Sequence, residues 1–250
     1  MKETLYSRNA VYESLRARRR EFFSLEIAEG VQEKGRLSEI LQLAKDRKIP
    51  VKRVPRGRLE RLKANHQGVA LEASGYPYAE LTDIFELADE RKEPLFVLLL
   101  DSLNDPQNFG TLLRTAEIVG VHGAVIPLAR TVGVTPAVVN ASSGASEHLL
   151  VAQANLSQAI DALKEAGAWI IGLEGGEPPE GRKNAESPEK VRLDGAIGLV
   201  VGSEGEGMRP LTVKSCDILM KLPMKGRIES LNAAVAGSVG LYLAYLARSK

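Results

Sequence analysis

Apolar positions along the chain fall into two successive series. Over residues 1–73, "RNAVYESLRARR" is amphipathic, "FFSLEIAE" reads as a strand, and "RLSEILQLAKDRK" places apolar residues at 37, 40, 41 and 43. "VKRVP", "GRLERLKAN" and "GVALEAS" complete that series. Apolar spacings of three and four mark helix faces, and short β-rich runs mark strands, so the series predicts a small α/β domain. A second series starts at Leu95. It predicts strands at 95–100, 123–127, 147–153, 168–173, 196–202 and 217–223, with helices at 108–119, near 135–145, at 157–166 and at 231–248. Nearly continuous apolar strands alternating with helices predict a parallel sheet covered on both faces.

Between the two series, "GYPYAELTDIFELADERKEP" contains Gly75, Pro77 and Pro94 and reads as a linker with one or two helical turns. The expected organisation is a first domain over 1–75, a linker over 76–94 and a second domain over 95–250. "EGGEPPEGRKNAESPEKVRL" is expected to be a polar surface loop.

The longest apolar stretch, 231–247, has 17 residues and includes Asn232, two glycines and Ser238, which favours a buried helix over a membrane span. The single cysteine, Cys216, forms no intrachain disulfide and fits a reducing compartment. His66, His122 and His148 lie far apart, so no metal-ligand spacing exists and no metal is expected. The net charge of +1 conceals an asymmetry, because residues 1–66 hold 17 Lys/Arg against 9 Asp/Glu. An excess of eight positive charges over these front 66 residues suits a polyanion partner, and a solubilising surface gives the same count.

Three stretches can carry chemistry. In "IGLVVGSEGEGM" a buried strand runs into Gly202, Gly205 and Gly207, an order that is neither a dinucleotide fingerprint nor a Walker loop. Glu204 and Glu206 make it a poor phosphate cradle, whereas an uncharged or cationic ligand, or simply a tight turn, fits. In "LPMKGRIESLNAAVAGSVGLYL", Ser230 is the expected N-cap, and Asn232 stands as an amide near the start of an apolar helix. The small residues that follow suit close packing against another helix or a second subunit. In "DPQNFGTLLRTAEIVG", Asn108 suits an N-cap and Gly120 a C′ residue, while Gly110 and Arg114 share a helix face. Spacing alone leaves open whether Asn108 and Arg114 serve a reaction or only a helix.

Taken in order, "DPQNFGTLLRTAEIVG", "VVGSEGEGM" and "LPMKGRIESLNAAVAG" resemble the three motifs of the SpoU (TrmH-type) RNA 2′-O-ribose methyltransferases, over roughly residues 95–248. "LYSRNAVYESL" and "HQGVALEASGYPY" are similar to the substrate-binding domain of the ribosomal RNA members. The subgroup it looks most like is the 23S ribosomal RNA guanosine-2′-O-methyltransferases. The resemblance implies a C-terminal trefoil-knotted parallel-sheet domain (SPOUT) behind a small N-terminal α/β domain of the L30e type. It also implies S-adenosyl-L-methionine as cofactor, with contacts at Gly202, Leu222 and Leu231.

The same resemblance maps a catalytic set onto Asn108, Arg114, Glu204, Ser230 and Asn232. A guanidinium stays protonated at ordinary pH, so Arg114 is expected to contact an RNA phosphate and the nucleophilic oxygen, oriented by Glu204 and Asn108. Arg8, Arg18, Arg19, Arg20, Arg53, Arg56 and Arg58 are the expected RNA contacts, and His66 reads better as a polar residue at a strand start. The implied partners are 23S ribosomal RNA or a precursor particle and a second copy of the chain, in the cytoplasm and away from membranes. A transfer RNA substrate and a non-catalytic RNA-binding protein are the competing readings.

Overall fold

The computed structural model describes every residue except 1, 63–64, 130, 176–184, 204, 206, 229 and 250. Its contacts separate two compact units: residues up to Pro77 together with Val134–His148, and Tyr78–Gly133 together with the chain from Leu149 onward.

The first unit runs β1 (Lys2–Tyr6), α1 (Arg8–Ala17), β2 (Phe22–Ala28), α2 (Arg36–Asp46), β3 (Val51–Val54), α3 (Arg56–Glu60) and β4 (Val69–Ser74). The sheet order is β1-β4-β2-β3, antiparallel except for the β2–β3 pair. Helix α1 buries Ala10, Val11 and Leu15, and α2 buries Leu37, Ile40 and Ala44, the faces that the three-and-four spacing marks. Strand β1, a short run in which Leu5 is the buried position, is an addition to the expected elements.

Arg20 is buried in this unit. Its guanidinium meets Glu3 at 2.7 Å and Glu147 at 2.8 Å and donates to the Ser74 carbonyl, while Tyr76 lies beneath it at 5.1 Å. Buried, and with all three guanidinium nitrogens hydrogen-bonded, Arg20 is a structural ion pair and the expectation that it contacts RNA is withdrawn. Tyr76 donates its hydroxyl to the Ser146 carbonyl, and burial pushes its pKa up to about 12.

The second unit begins with α4 (Leu81–Arg91), β5 (Phe96–Asp101), α5 (Pro106–Ile118) and β6 (Gly123–Pro127). The stretch expected as a linker is therefore mostly a helix, because Ile84 and Ala88 are buried in the core beneath this unit's sheet strands. Helix α6 (Pro136–Ala141) then belongs with the first unit, where it packs against β1, rather than covering the parallel sheet as its position in the alternation suggested. The chain continues through β7 (Leu150–Ala154), α7 (Leu156–Glu165), β8 (Trp169–Leu173), β9 (Ile197–Gly202), α8 (Pro210–Ser215), β10 (Ile218–Met220) and α9 (Ala233–Arg248).

The six strands lie in the order β10-β8-β9-β5-β6-β7, and every pairing is parallel. β5 and β9 are wholly buried, which is why their sequences are apolar throughout. From β5 the chain proceeds outward through β6 and β7, whereas β9 and β8 occupy the other side. Such a reversal leaves a crevice at the carboxyl ends of the central strands. There Asp101, the last residue of β5, is the register partner of Gly202, the last residue of β9.

Candidate active site

The crevice at the strand ends opens into a cleft of about 550 Å³ lined, among others, by Gly202, Ser203, Leu222, Ser230, Leu231 and Asn232. Two of the three motif segments line this cleft, the loop after β9 and the stretch from Leu222 to the start of α9; the first, on α5, joins them through a hydrogen bond from Asn232 to Asn108.

The loop after β9 is built by backbone geometry. Ser203 and Gly207 exchange two backbone hydrogen bonds (3.0 and 3.1 Å), with Gly205 and Gly207 at φ +81° and +67°. A Cβ at Gly202 would overlap the Gly207 and Met208 backbone, so only glycine lets the loop fold back against the strand end. Asp101 holds the far side of that loop: its buried carboxylate accepts from the Arg209 backbone N–H at 2.8 Å and from Arg209 Nε at 2.5 Å. Asp101 and Arg209 escaped the reading of the sequence. The available signal was a carboxylate ending a strand that is otherwise apolar, a group that needs a partner when buried.

At the mouth, Asn232 is the N-cap of α9, its Oδ1 accepting from the N–H groups of Ala234 (2.9 Å) and Val235 (3.2 Å). Ser230, expected as the cap, instead lies two residues before the N-cap Asn232 and lines the cleft. The other face of the Asn232 amide is also used, Nδ2 donating to Asn108 Oδ1 at 3.2 Å. Asn108 in turn is not the N-cap of α5: Asp105 is, accepting from Gln107 N and Asn108 N, with proline next to it at the first helical position. Hydrogen bonds from the Asn108 side chain, then from the Gln107 and Asn108 backbones, hold the Asp105 carboxyl below its usual range. A polar chain Asp105–Asn108–Asn232 thus ties the beginnings of α5 and α9 together.

The remaining candidates are placed differently. Arg114 is exposed on α5 and does not line the cleft; six residues separate it from Asn108, about 9 Å along a helix axis. Glu204 lies outside the described residues. Gly110 and Arg114 lie four apart on α5, as expected, with Gly110 buried and Arg114 exposed. The small residues of α9 face inward: a Cβ at Gly237 would come 2.5 Å from Leu112 Cδ2, and one at Gly240 within 3.2 Å of Leu173 and Leu199. They allow α9 to approach α5 and the sheet, an approach completed by Thr115 and Ser238, whose hydroxyls are 2.9 Å apart.

Among its described lining residues the cleft has no lysine, arginine or histidine, and it has one carboxylate, Glu174. It is suited to a ligand with apolar surface, backbone-readable polar edges and positive rather than negative charge.

Of the arginines expected to meet RNA, Arg8 donates to the Gln67 carbonyl, Arg19 to Tyr76 and the Pro77 carbonyl, and Arg53, Arg56 and Arg58 pair with Glu33, Glu60 and Glu26. His66 is buried and accepts from the Gly68 N–H.

Comparison with known proteins is consistent along the whole chain. Residues 95–242 match the model of the SpoU rRNA Methylase family, and residues 5–79 match that of RNA 2′-O ribose methyltransferase substrate binding. A Bacillus subtilis protein provisionally named TrmH family tRNA/rRNA methyltransferase is 41% identical over 97% of this chain and 94% of its own. A Staphylococcus aureus protein of the same provisional name is 42% identical over 86% of this chain and 85% of its own. The SpoU methyltransferase AviRb of Streptomyces viridochromogenes, solved with AdoMet, shares the fold at a TM-score of 0.79 and 19% identity, covering 99% of this chain and 91% of that one. An AdoMet-bound rRNA methyltransferase of Sinorhizobium meliloti does so at 0.76 and 20%, covering 97% and 86%.

Proposed function

This chain belongs to the SpoU rRNA Methylase family, and from that premise we propose that it methylates a ribose 2′-hydroxyl of RNA, at a guanosine of 23S ribosomal RNA, using S-adenosyl-L-methionine. The observation that carries the reading is the convergence of Gly202, Leu222, Ser230, Leu231 and Asn232 on one cleft without a described cationic lining residue. When bound, S-adenosylmethionine supplies an electrophilic methyl group on a sulfonium, whose positive charge such a cleft accepts. Gly202 and the loop it releases offer backbone groups to that cofactor, and Leu222 and Leu231 offer its apolar walls.

The protein's own work is orientation and proton handling. The Asn108–Asn232 pair fixes the starts of two helices at the cleft mouth, and Ser230 adds a hydroxyl there. Arg114, exposed on the same helix as Asn108, contacts the RNA phosphate beside the reacting ribose and stabilises charge on its oxygen. Glu204, the remaining member of the set, is assigned to orienting Arg114.

The same reading includes the knot, the cytoplasmic location and a homodimer. Support for the dimer comes from α9, where Val235, Val239, Tyr242 and Leu246 recur at spacings of four, three and four and are between 39% and 56% exposed. A continuous exposed apolar face of this kind marks an association surface.

Radiolabelled methyl transfer to unmodified 23S rRNA, 16S rRNA and transfer RNA, offered in parallel, tests the assignment. Label is expected on a 23S ribose alone, reduced about 100-fold or more in Arg114→Ala. Label on transfer RNA alone would reassign the substrate, and cofactor binding without label on any RNA would make the chain a binding protein.

A further inference from the structure

Most arginines of the first unit already have an acceptor: those at 8, 19, 20, 53, 56 and 58 each donate to a carboxylate or carbonyl. Arg18 and Arg47 differ. Arg18, exposed at the C-cap of α1, has no side-chain hydrogen bond or ion pair among the described residues. Arg47, at the C-cap of α2, has its Nη1 buried without a hydrogen-bond partner. The two line one cleft of about 360 Å³, together with Arg20, Phe22, Leu43 and Asp46.

A position at a helix C-terminus explains why a cation stands at each site, since the helix dipole favours it. It does not give Nη1 an acceptor, and an orphaned charged donor is an unfavourable state that calls for a missing partner. Two like charges also face each other. The Arg47 pKa is pushed down, by burial first and by Arg18 next, with Asp46 opposing. Asp46 accepts from Gln42 at 2.7 Å, and Arg20 is matched by Glu3 and Glu147, so two guanidinium groups are left against one carboxylate. The Arg47 guanidinium lies 6.0 Å from the centroid of the Phe22 ring, which forms an apolar wall beside the charges.

We propose that this cleft is an RNA subsite, holding a backbone phosphate between Arg18 and Arg47 with the adjoining nucleotide against Phe22 and Leu43. The proposal rests on the RNA reading given above. The phosphate cancels the repulsion between the Arg47 and Arg18 guanidinium groups that line the cleft, while the ring offers a stacking surface that tolerates any base. The free protein therefore holds its donors in a state that RNA improves, which is not so for the arginines already paired.

The test uses the intact chain and a labelled, unmodified 23S rRNA transcript, with binding measured from about 50 to 300 mM salt, because phosphate contacts declare themselves in the salt slope. Arg18→Ala and Arg47→Ala are each expected to raise Kd about 10-fold, and the double variant to reduce the slope by about 1, one phosphate contact. Lys52→Ala, an exposed charge on β3 outside the cleft, serves as the control for simple charge loss. Turnover at saturating RNA and the KM for S-adenosylmethionine are expected to stay unchanged. Tm is expected to hold or rise in Arg47→Ala, since an orphaned donor is removed; should that variant prove unstable, exposed Arg18 keeps the test decisive.

Kd values within twofold of both the unaltered chain and the control, with methyl transfer intact, would overturn the subsite and leave the activity standing. An unaltered chain that neither binds nor methylates any RNA would overturn both.

Discussion

Gly202 carries the most direct structural demand in the cleft, because any side chain there meets the backbone of Gly207 and Met208 rather than a yielding side-chain tip. Gly202→Ala is expected to displace the loop between Ser203 and Arg209 and weaken S-adenosylmethionine binding at least about 10-fold by calorimetry, a loss typical of overpacking by 1–3 kcal/mol. The sheet should persist, since Gly202 closes β9 rather than standing within it. Equal cofactor affinity in the variant would show that the loop does not shape the binding site. Reading the sequence located this glycine but not its neighbour in space. Asp101 and Arg209 are 108 positions apart, and nothing in either segment announces that a backbone N–H and a guanidinium of one will satisfy a carboxylate of the other. Asn108 and Asn232 were each visible as polar residues at helix starts, yet their hydrogen bond to each other emerges only when α5 and α9 pack.

Helices and strands were more readable than their roles. All six strands of the parallel sheet overlap the nearly continuous apolar runs that predicted them, most plainly β5, β6 and β9, where burial of every residue leaves no polar position to confuse the pattern. Caps were misassigned because Asp105, Asn108, Ser230 and Asn232 are all good cap residues, and the choice among neighbours depends on where the helix axis must point. Helix α6 was placed with the wrong unit since alternation in sequence says nothing about which core receives an element. Helix α9 shows the same limit. Its small residues suited close packing against another helix or against a second subunit; the glycines pack against α5 and the sheet, which leaves the opposite apolar face for the proposed dimer. Val239→Glu, near the middle of that face, is therefore expected to convert the dimer to monomer in sedimentation equilibrium, raising its dissociation constant about 100-fold or more by placing a charge in an apolar interface. An unaltered chain that is already monomeric would remove the dimer from the proposal.

Acid stability belongs to the protein as a folded entity, and one buried histidine sets a measurable part of it. His122 stands just before β6 with no exposed surface; its Nδ1 accepts the backbone N–H of Phe96 at 3.0 Å and its Nε2 lies 3.1 Å from Glu93. Because Nδ1 is an acceptor, the neutral ring carries its proton on Nε2 and donates it to the carboxylate. A second proton would have to enter on Nδ1, breaking the bond that joins the 119–122 turn to the start of β5. Burial first, and then the positive charge of Arg91, lower the pKa from its ordinary 6.5, against the opposing pull of Glu93. The unfolded chain thus binds this proton at a pH where the folded chain does not. Stability from His122 is complete above pH 6.5 and declines as pH falls from there through the lowered folded value. The slope from one such group is at most about 1.4 kcal/mol per pH unit. Urea unfolding at fixed protein concentration, compared across that interval for the unaltered chain and His122→Asn, isolates this component from the carboxylates that titrate lower. Asparagine retains an acceptor for the Phe96 N–H and cannot titrate, so its stability profile should be flatter between pH 6.5 and the acid limb. Parallel profiles for the two proteins would mean that the folded chain protonates His122 as readily as the unfolded one does, and that burial of this ring adds nothing to acid sensitivity.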